Sequence, residues 1–241
     1  MSDPYLLEGT KVLRNLLNIQ DQKALEVAEA EISSANMMFL FEQDFSDFTS
    51  TGIKEIHKIL FGNIYDWAGE FRIINVRKRE ELLAGKSVWY ANHDDIERDL
   101  KIGWEAINKV AWKHLNREEF AKNLTYKFPA LWQAHPFRDG NTRTIIMLIM
   151  FFVEHHGYYF DQELLLASAG YVRNAFVLCS FGEHSEYEHL EKILLDAISE
   201  TPIPEFNTLD EIDNAEILTK REKYYTKGYK PTPHEYREDD E

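Results

Sequence analysis

The sequence predicts a mainly helical fold. Three observations carry this. Seven stretches place apolar residues at helical spacing. The longest apolar run, residues 145–153, is shorter than the ~20 residues a bilayer span needs, so it suits a buried core helix. Strand-like patterning is confined to residues 72–90.

Asp21 is placed to cap the first helix, over 22–42, whose apolar face holds Leu25, Ala28, Ile32, Met37 and Leu40. The second spans 52–61 and stops at Gly62-Asn63. The third follows Asn92-His93-Asp94 and spans 95–113. The fourth spans 117–134 and should kink at Pro129. The fifth starts at Asn141 or Thr142 and ends at Gly157, the sixth covers 162–181, and the seventh 186–199. Between the second and third, residues 72–77 and 87–90 flank a charged stretch with Gly85 and predict a short β-hairpin.

The 241 residues suffice for one sizeable core and a tail. Residues 1–200 read as one domain, with a core over about 51–199. Residues 201–241 read as an acidic appendage with 11 acids and 6 bases, a helical middle (211–225) and a disordered end. The single cysteine, Cys179, excludes an internal disulfide and a cysteine-based zinc site and suits a reducing cytoplasm. The first 13 residues carry charges and no apolar run, unlike a signal peptide. A net charge of −15 repels phosphate backbones, so neither nucleic acid nor a membrane is an expected partner. A nucleotide would need a local cationic site and Mg²⁺ to offset that field.

Such a site can be read between the fourth and fifth helices: His135-Pro136-Phe137-Arg138-Asp139-Gly140-Asn141-Thr142-Arg143. A glycine-containing loop feeding a helix N-terminus points backbone N–H groups and the positive end of the helix dipole at an anion. Arg143 lies one turn in and can fork onto phosphate oxygens. Asp139 is a hard oxygen ligand suited to Mg²⁺ that already holds phosphates. His135 can act as general base near neutral pH. Phe137 would turn into the core and pin the loop, worth roughly 1.5–3 kcal/mol. Spacing alone leaves an ordinary polar connector equally open.

The segment resembles the Fic family, whose loop reads His-x-Phe-x-(Asp/Glu)-Gly-Asn-Gly-Arg-x-x-Arg. Upstream, Phe61-Gly62-Asn63-Ile64-Tyr65-Asp66-Trp67-Ala68-Gly69-Glu70-Phe71-Arg72 is similar to the family's segment before its flap. The resemblance covers most of residues 21–199 and implies an all-α fold, with helices bundled around the motif loop and a short β-hairpin flap over 72–90. It implies a nucleotidyltransferase that moves AMP from ATP onto a Tyr, Thr or Ser hydroxyl of a target protein. That target would dock on the flap by strand addition. His135 would deprotonate the hydroxyl, and Asp139 would hold Mg²⁺ against the α- and β-phosphates. Phe137, Arg138, Asp139, Gly140, Asn141 and Thr142 would form the nucleotide cradle, and Arg143 would neutralise the leaving diphosphate.

Two positions depart from the pattern. Thr142 replaces the second loop glycine, so either the backbone there is ordinary helix or the cradle is reshaped. Ile146 replaces the last arginine, which in the family holds the γ-phosphate and pairs with an inhibitory glutamate. Lys78 and Arg79 on the flap are candidate substitutes. The inhibitory (Ser/Thr)-x-x-x-Glu-(Gly/Asn) motif is absent: Thr51…Glu55 and Thr201…Glu205 have its spacing but continue with Ile56 and Phe206. The chain therefore resembles bacterial toxins inhibited in trans by a small antitoxin, several of which modify type II topoisomerases. Thr142 also raises a Doc-like phosphotransferase that binds the nucleotide reversed, and Thr142 with Ile146 raises a scaffold without catalysis that acts as a binding module. His155-His156 read as a helix end and not a metal site. Trp89-Tyr90 suit contact with adenine or a target as well as local packing.

Overall fold

The computed structural model describes residues 3–203. The expected appendage beyond it, including the 211–225 helix, lies outside the described residues, apart from 201–203. Nine α-helices are present among the described residues: α1 (Gln22–Phe41), α2 (Ser50–Phe61), α3 (Ile96–Asn108), α4 (Arg117–Lys127), α5 (Pro129–Ala134), α6 (Asn141–His155), α7 (Gln162–Ala167), α8 (Ala169–Cys179) and α9 (Glu188–Ala197). None is long and apolar enough to cross a membrane.

α6 is the hub. Its residues from Thr144 to Val153 are all buried, because α2 and α5 pack on it and β1 (Tyr159–Phe160) runs beside it. α1 packs on α2, α3 on α5, and α4 on α9. Local chemistry sets the boundaries. The Asp21 side chain accepts from the Ala24 N–H, and Thr49 caps α2 by accepting from Thr51. Asn116 and Glu119 close a reciprocal capping box on α4.

The structure corrects several expected elements. The fourth helix divides outright into α4 and α5, because Pro129 cannot donate an N–H and starts a fresh helix instead. The sixth divides at Ser168, whose φ of −108° and ψ of 22° leave helical geometry. The third stops at Asn108 and is followed by a separate 3₁₀ turn at Trp112–His114. The seventh ends at Ala197; Ile198–Ser199 then forms β2, antiparallel to β1, with Phe160 opposite Ile198.

The hairpin expected over 72–90 doubles back without forming strands. Its turn closes through Glu80 N–H to the Lys86 carbonyl at 2.9 Å, around a 3₁₀ turn at Glu81–Leu83. Towards its base, side chains take the groups a ladder would use. The Lys78 N–H donates to Ser87 Oγ, the Arg72 guanidinium takes the Ile74 and Ala91 carbonyls, and Asn75 Oδ1 accepts from the His93 N–H. The flap is nevertheless anchored. Arg173 donates to both oxygens of the buried Glu80 carboxylate at 2.7 Å, and Gln133 Nε2 donates to the Trp89 carbonyl at 3.0 Å.

Candidate active site

The loop between α5 and α6 begins at His135, which ends α5 in the left-handed region with φ 46° and ψ 57°. A histidine held there is strained, and such strain persists only where its surroundings fix it. Here they do. Tyr90 stacks on the imidazole at 4.0 Å and Trp132 meets it edge-on at 5.5 Å. The ring is buried, and neither nitrogen has a protein hydrogen-bond partner. Burial, with Lys78 and Arg72 nearby, holds its pKa well below the ordinary histidine value despite Asp139. At neutral pH the ring is therefore uncharged and has a lone pair free.

Three contacts set the loop behind it. Phe137 is fully buried and stacks on His57 at 3.7 Å. Asn141 clamps the backbone of Phe137 at both ends: its Oδ1 accepts from the Phe137 N–H and its Nδ2 donates to the Phe137 carbonyl, each at 2.9 Å. His57 Nδ1 accepts from the Gly69 N–H at 2.9 Å, so its Nε2 carries the proton and donates to the Asp139 carbonyl at 3.1 Å. Gly140 supplies the positive φ of +77° that turns the chain into α6. A Cβ there would also meet the Phe61 ring at 2.4 Å.

The N-terminus of α6 has no side-chain cap, so no cap side chain takes up its first backbone N–H groups. Thr142 lies inside α6 with helical backbone, so the departure from glycine stores no strain, and its hydroxyl accepts from the Trp132 indole at 2.9 Å. Burial disfavours the charge on Asp139. Lys78, the Gly140 N–H (2.7 Å) and Arg143 outweigh it and hold the carboxyl below its ordinary range. Arg143 donates from Nη1 to Ser33 Oγ at 2.7 Å and from Nη2 to Glu29, and lies over the Phe61 ring at 4.6 Å.

The remaining expected site residues separate. Lys78 reaches the loop, with Nζ 3.8 Å from Asp139 Oδ1, whereas Arg79 is exposed on the flap. Arg138 turns away to the N-terminal segment, donating from Nε (3.1 Å) and Nη2 (2.8 Å) to Asp3 Oδ2. Ile146 is buried, so no cation is supplied from its position. A cleft of about 720 Å³ opens along the flap, lined by Asn75, Arg77, Trp89, Tyr90, Phe181 and His184 among others. Trp89, exposed at 78%, is one of the residues lining this cleft.

Sequence reading missed His57, Glu29, Ser33 and the structural role of Arg72. The signal for His57 was a polar residue among Ile53, Ile56 and Leu60, all fully buried. Its burial has a measurable consequence. His57 is held down at about 3, chiefly by burial, and His135 is lowered too, while both return to about 6.5 in the unfolded chain. Between those values the unfolded state binds more protons, so stability is full above about pH 6.5 and falls as pH drops towards 3. The slope is at most about 1.4 kcal/mol per pH unit for each histidine. Urea unfolding at pH 7.5 and 5.0 should show the loss, and His57→Gln should flatten it; a wild-type midpoint unchanged between these values would contradict it.

Comparison with known proteins accords with this geometry. The model of the Fic/DOC family matches residues 47–153. The probable protein adenylyltransferase y4lH of Sinorhizobium fredii is 30% identical over 169 residues, 68% of this chain and 82% of that protein. The protein adenylyltransferase VbhT of Bartonella schoenbuchensis is 32% identical over 164 residues, and the match spans 67% of this chain and 33% of VbhT. Among solved structures, the Bartonella tribocorum BepC protein with bound AMPPNP superposes with a TM-score of 0.69 at 24% identity, over 82% of this chain and 97% of that one. An ADP-bound Fic domain from Bartonella quintana gives a TM-score of 0.67 at 25% identity, over 80% and 94%. With the motif loop inside the matched region and a relative covered over most of its length, this chain belongs to the Fic/DOC family.

Proposed function

We propose that this chain is a protein adenylyltransferase that moves AMP from ATP onto a Tyr, Thr or Ser hydroxyl of a target protein. The observation that carries the reading is a neutral, unpartnered His135 imidazole beside an uncapped helix N-terminus and an ionised Asp139. Relatives named as adenylyltransferases and similar structures holding AMPPNP or ADP support it.

In this reading the target hydroxyl gives its proton to His135 while its oxygen attacks the α-phosphorus. The bond from that phosphorus to the bridging oxygen breaks, and diphosphate leaves. The N–H groups at the start of α6 take the phosphate charge, with Lys78 and Arg143 beside them. No group of three or more metal-ligating side chains occurs among the described residues. A lone ionised Asp139 fits Mg²⁺, which is commonly held by one carboxylate together with substrate phosphates and water. When bound, the ion would offset charge on the α- and β-phosphates. Target backbone would pair with the flap by strand addition.

The same reading takes the chain as a cytoplasmic bacterial toxin, checked by a small antitoxin and aimed at a type II topoisomerase. The trans-inhibited pattern of its motifs supports the antitoxin, and the single cysteine supports the compartment. Incubation of a bacterial lysate with ATP labelled at the α- or the γ-phosphate tests the chemistry. Label should pass to protein only from the α-position. Transfer only from the γ-position would replace this reading with the phosphotransferase that Thr142 raises. Equal absence of label with wild type and His135→Ala would leave a binding scaffold.

A further inference from the structure

On α1, Leu25, Glu29, Ser33 and Met37 follow at intervals of four and form one stripe of the helix. Leu25 and Met37 are core residues, each 2% exposed. Glu29 and Ser33 interrupt that stripe with a carboxylate and a hydroxyl. Burying such groups is costly without partners, so the interruption calls for an explanation. Both reach Arg143: Ser33 Oγ accepts from Nη1 at 2.7 Å and Glu29 Oε1 accepts from Nη2. The other Glu29 oxygen accepts from the Tyr65 hydroxyl, itself buried, and the Phe61 ring closes a further side of the guanidinium at 4.6 Å. α1 lies outside the region matched by the family model, which begins at residue 47.

We infer that Glu29 is a positioning residue that holds Arg143 in the conformation that meets the β-phosphate of the nucleotide, with Ser33 and Tyr65 completing the bracket. This rests on the proposed nucleotide site and deepens it. Glu29 is itself held through its second oxygen, which makes it a fixed bracket and not a latch that phosphate would displace. The guanidinium keeps further N–H donors for a ligand after serving Glu29 and Ser33. With Ile146 in place of a second arginine, Arg143 is the arginine that α6 itself offers to the phosphates, so its orientation matters more here than where two share the load. A long side chain ordered in advance costs less to engage on binding.

Calorimetric titration of the full chain with ADP and with AMP, in Mg²⁺ buffer, tests this. AMP lacks the β-phosphate, so the ratio of the two affinities reports Arg143, and a general loosening of the fold would weaken both. Wild type should favour ADP. Glu29→Ala should cut that preference roughly tenfold, the scale of one long side chain's ordering, and leave AMP affinity in place. Tyr65→Phe and Ser33→Ala, which remove one hydroxyl each and serve if Glu29→Ala fails to fold, should shift the ratio the same way by less. A ratio that stays constant across these variants overturns the inference. So does a ratio that rises in Glu29→Ala, which would make Glu29 a competitor for the phosphate site. Wild type that binds ADP but transfers no AMP removes the catalytic reading and leaves this comparison standing.

Discussion

His135→Ala should lower AMP transfer by about 10²–10⁴-fold, the range a positioned general base contributes, and leave ATP affinity within about twofold. The expectation follows from how the imidazole is held. It lies between Tyr90 and Trp132, neutral, with both nitrogens unpartnered by protein. A structural histidine in such a burial would be hydrogen-bonded, as His57 is through both of its nitrogens. The contrast between the two rings separates a reactive group from a brace. Its charge state points the same way. Burial, Lys78 and Arg72 keep the ring neutral below the pH at which an ordinary histidine protonates, so the acid limb of kcat/KM should lie below pH 6.5. Single-turnover transfer with α-labelled ATP measures the rate, and ATP titration measures binding. Residual transfer within tenfold of wild type would remove His135 from the chemistry.

Much of this was legible in the sequence where local chemistry decides structure. Asp21 caps α1 because a carboxylate satisfies an orphan N–H, and residues 135–140 form the loop between two helices, with Gly140 turning the chain into α6. Pro129 was visible as a break, but its completeness was not, because a kink and a fresh helix start share one residue type. The flap was misread for a tertiary reason: strand propensity in residues 72–77 is real, but side chains claim the backbone groups a ladder would need. Arg138 illustrates the limit most directly. Within the motif it read as part of the nucleotide cradle, and its carboxylate partner is Asp3, 135 residues away. Glu29 and Ser33 were legible in part: polar residues at four-residue intervals in a core stripe announce a buried partner, and only packing names it.

Arg72→Met should destabilise the chain by on the order of 4 kcal/mol, because each buried carbonyl left without a donor costs about 1–3 kcal/mol. Arg72 is 2% exposed. Its Nε donates to the His135 carbonyl at 2.8 Å and its Nη1 to the Ile74 carbonyl at 2.7 Å; its Nη2 reaches the Ala91 carbonyl and, at 3.4 Å, that of Ala134. Its own N–H donates to the Pro136 carbonyl at 2.8 Å. One guanidinium thus ties the entry of the flap, its exit and the carbonyls of Ala134 and the strained His135, while the backbone bond to Pro136 survives the substitution. Methionine fills similar space and donates nothing, so part of the loss is offset by no longer burying a cation. Arg72→Lys should fall between, since an ammonium cannot reproduce a planar fork. Loss of these ties should also free His135 from its left-handed geometry, so transfer should fall further than the folded fraction does. Urea unfolding gives the first quantity and transfer per folded molecule the second. A stability loss below about 1 kcal/mol would mean that the carbonyls find other donors and that Arg72 is not the tie.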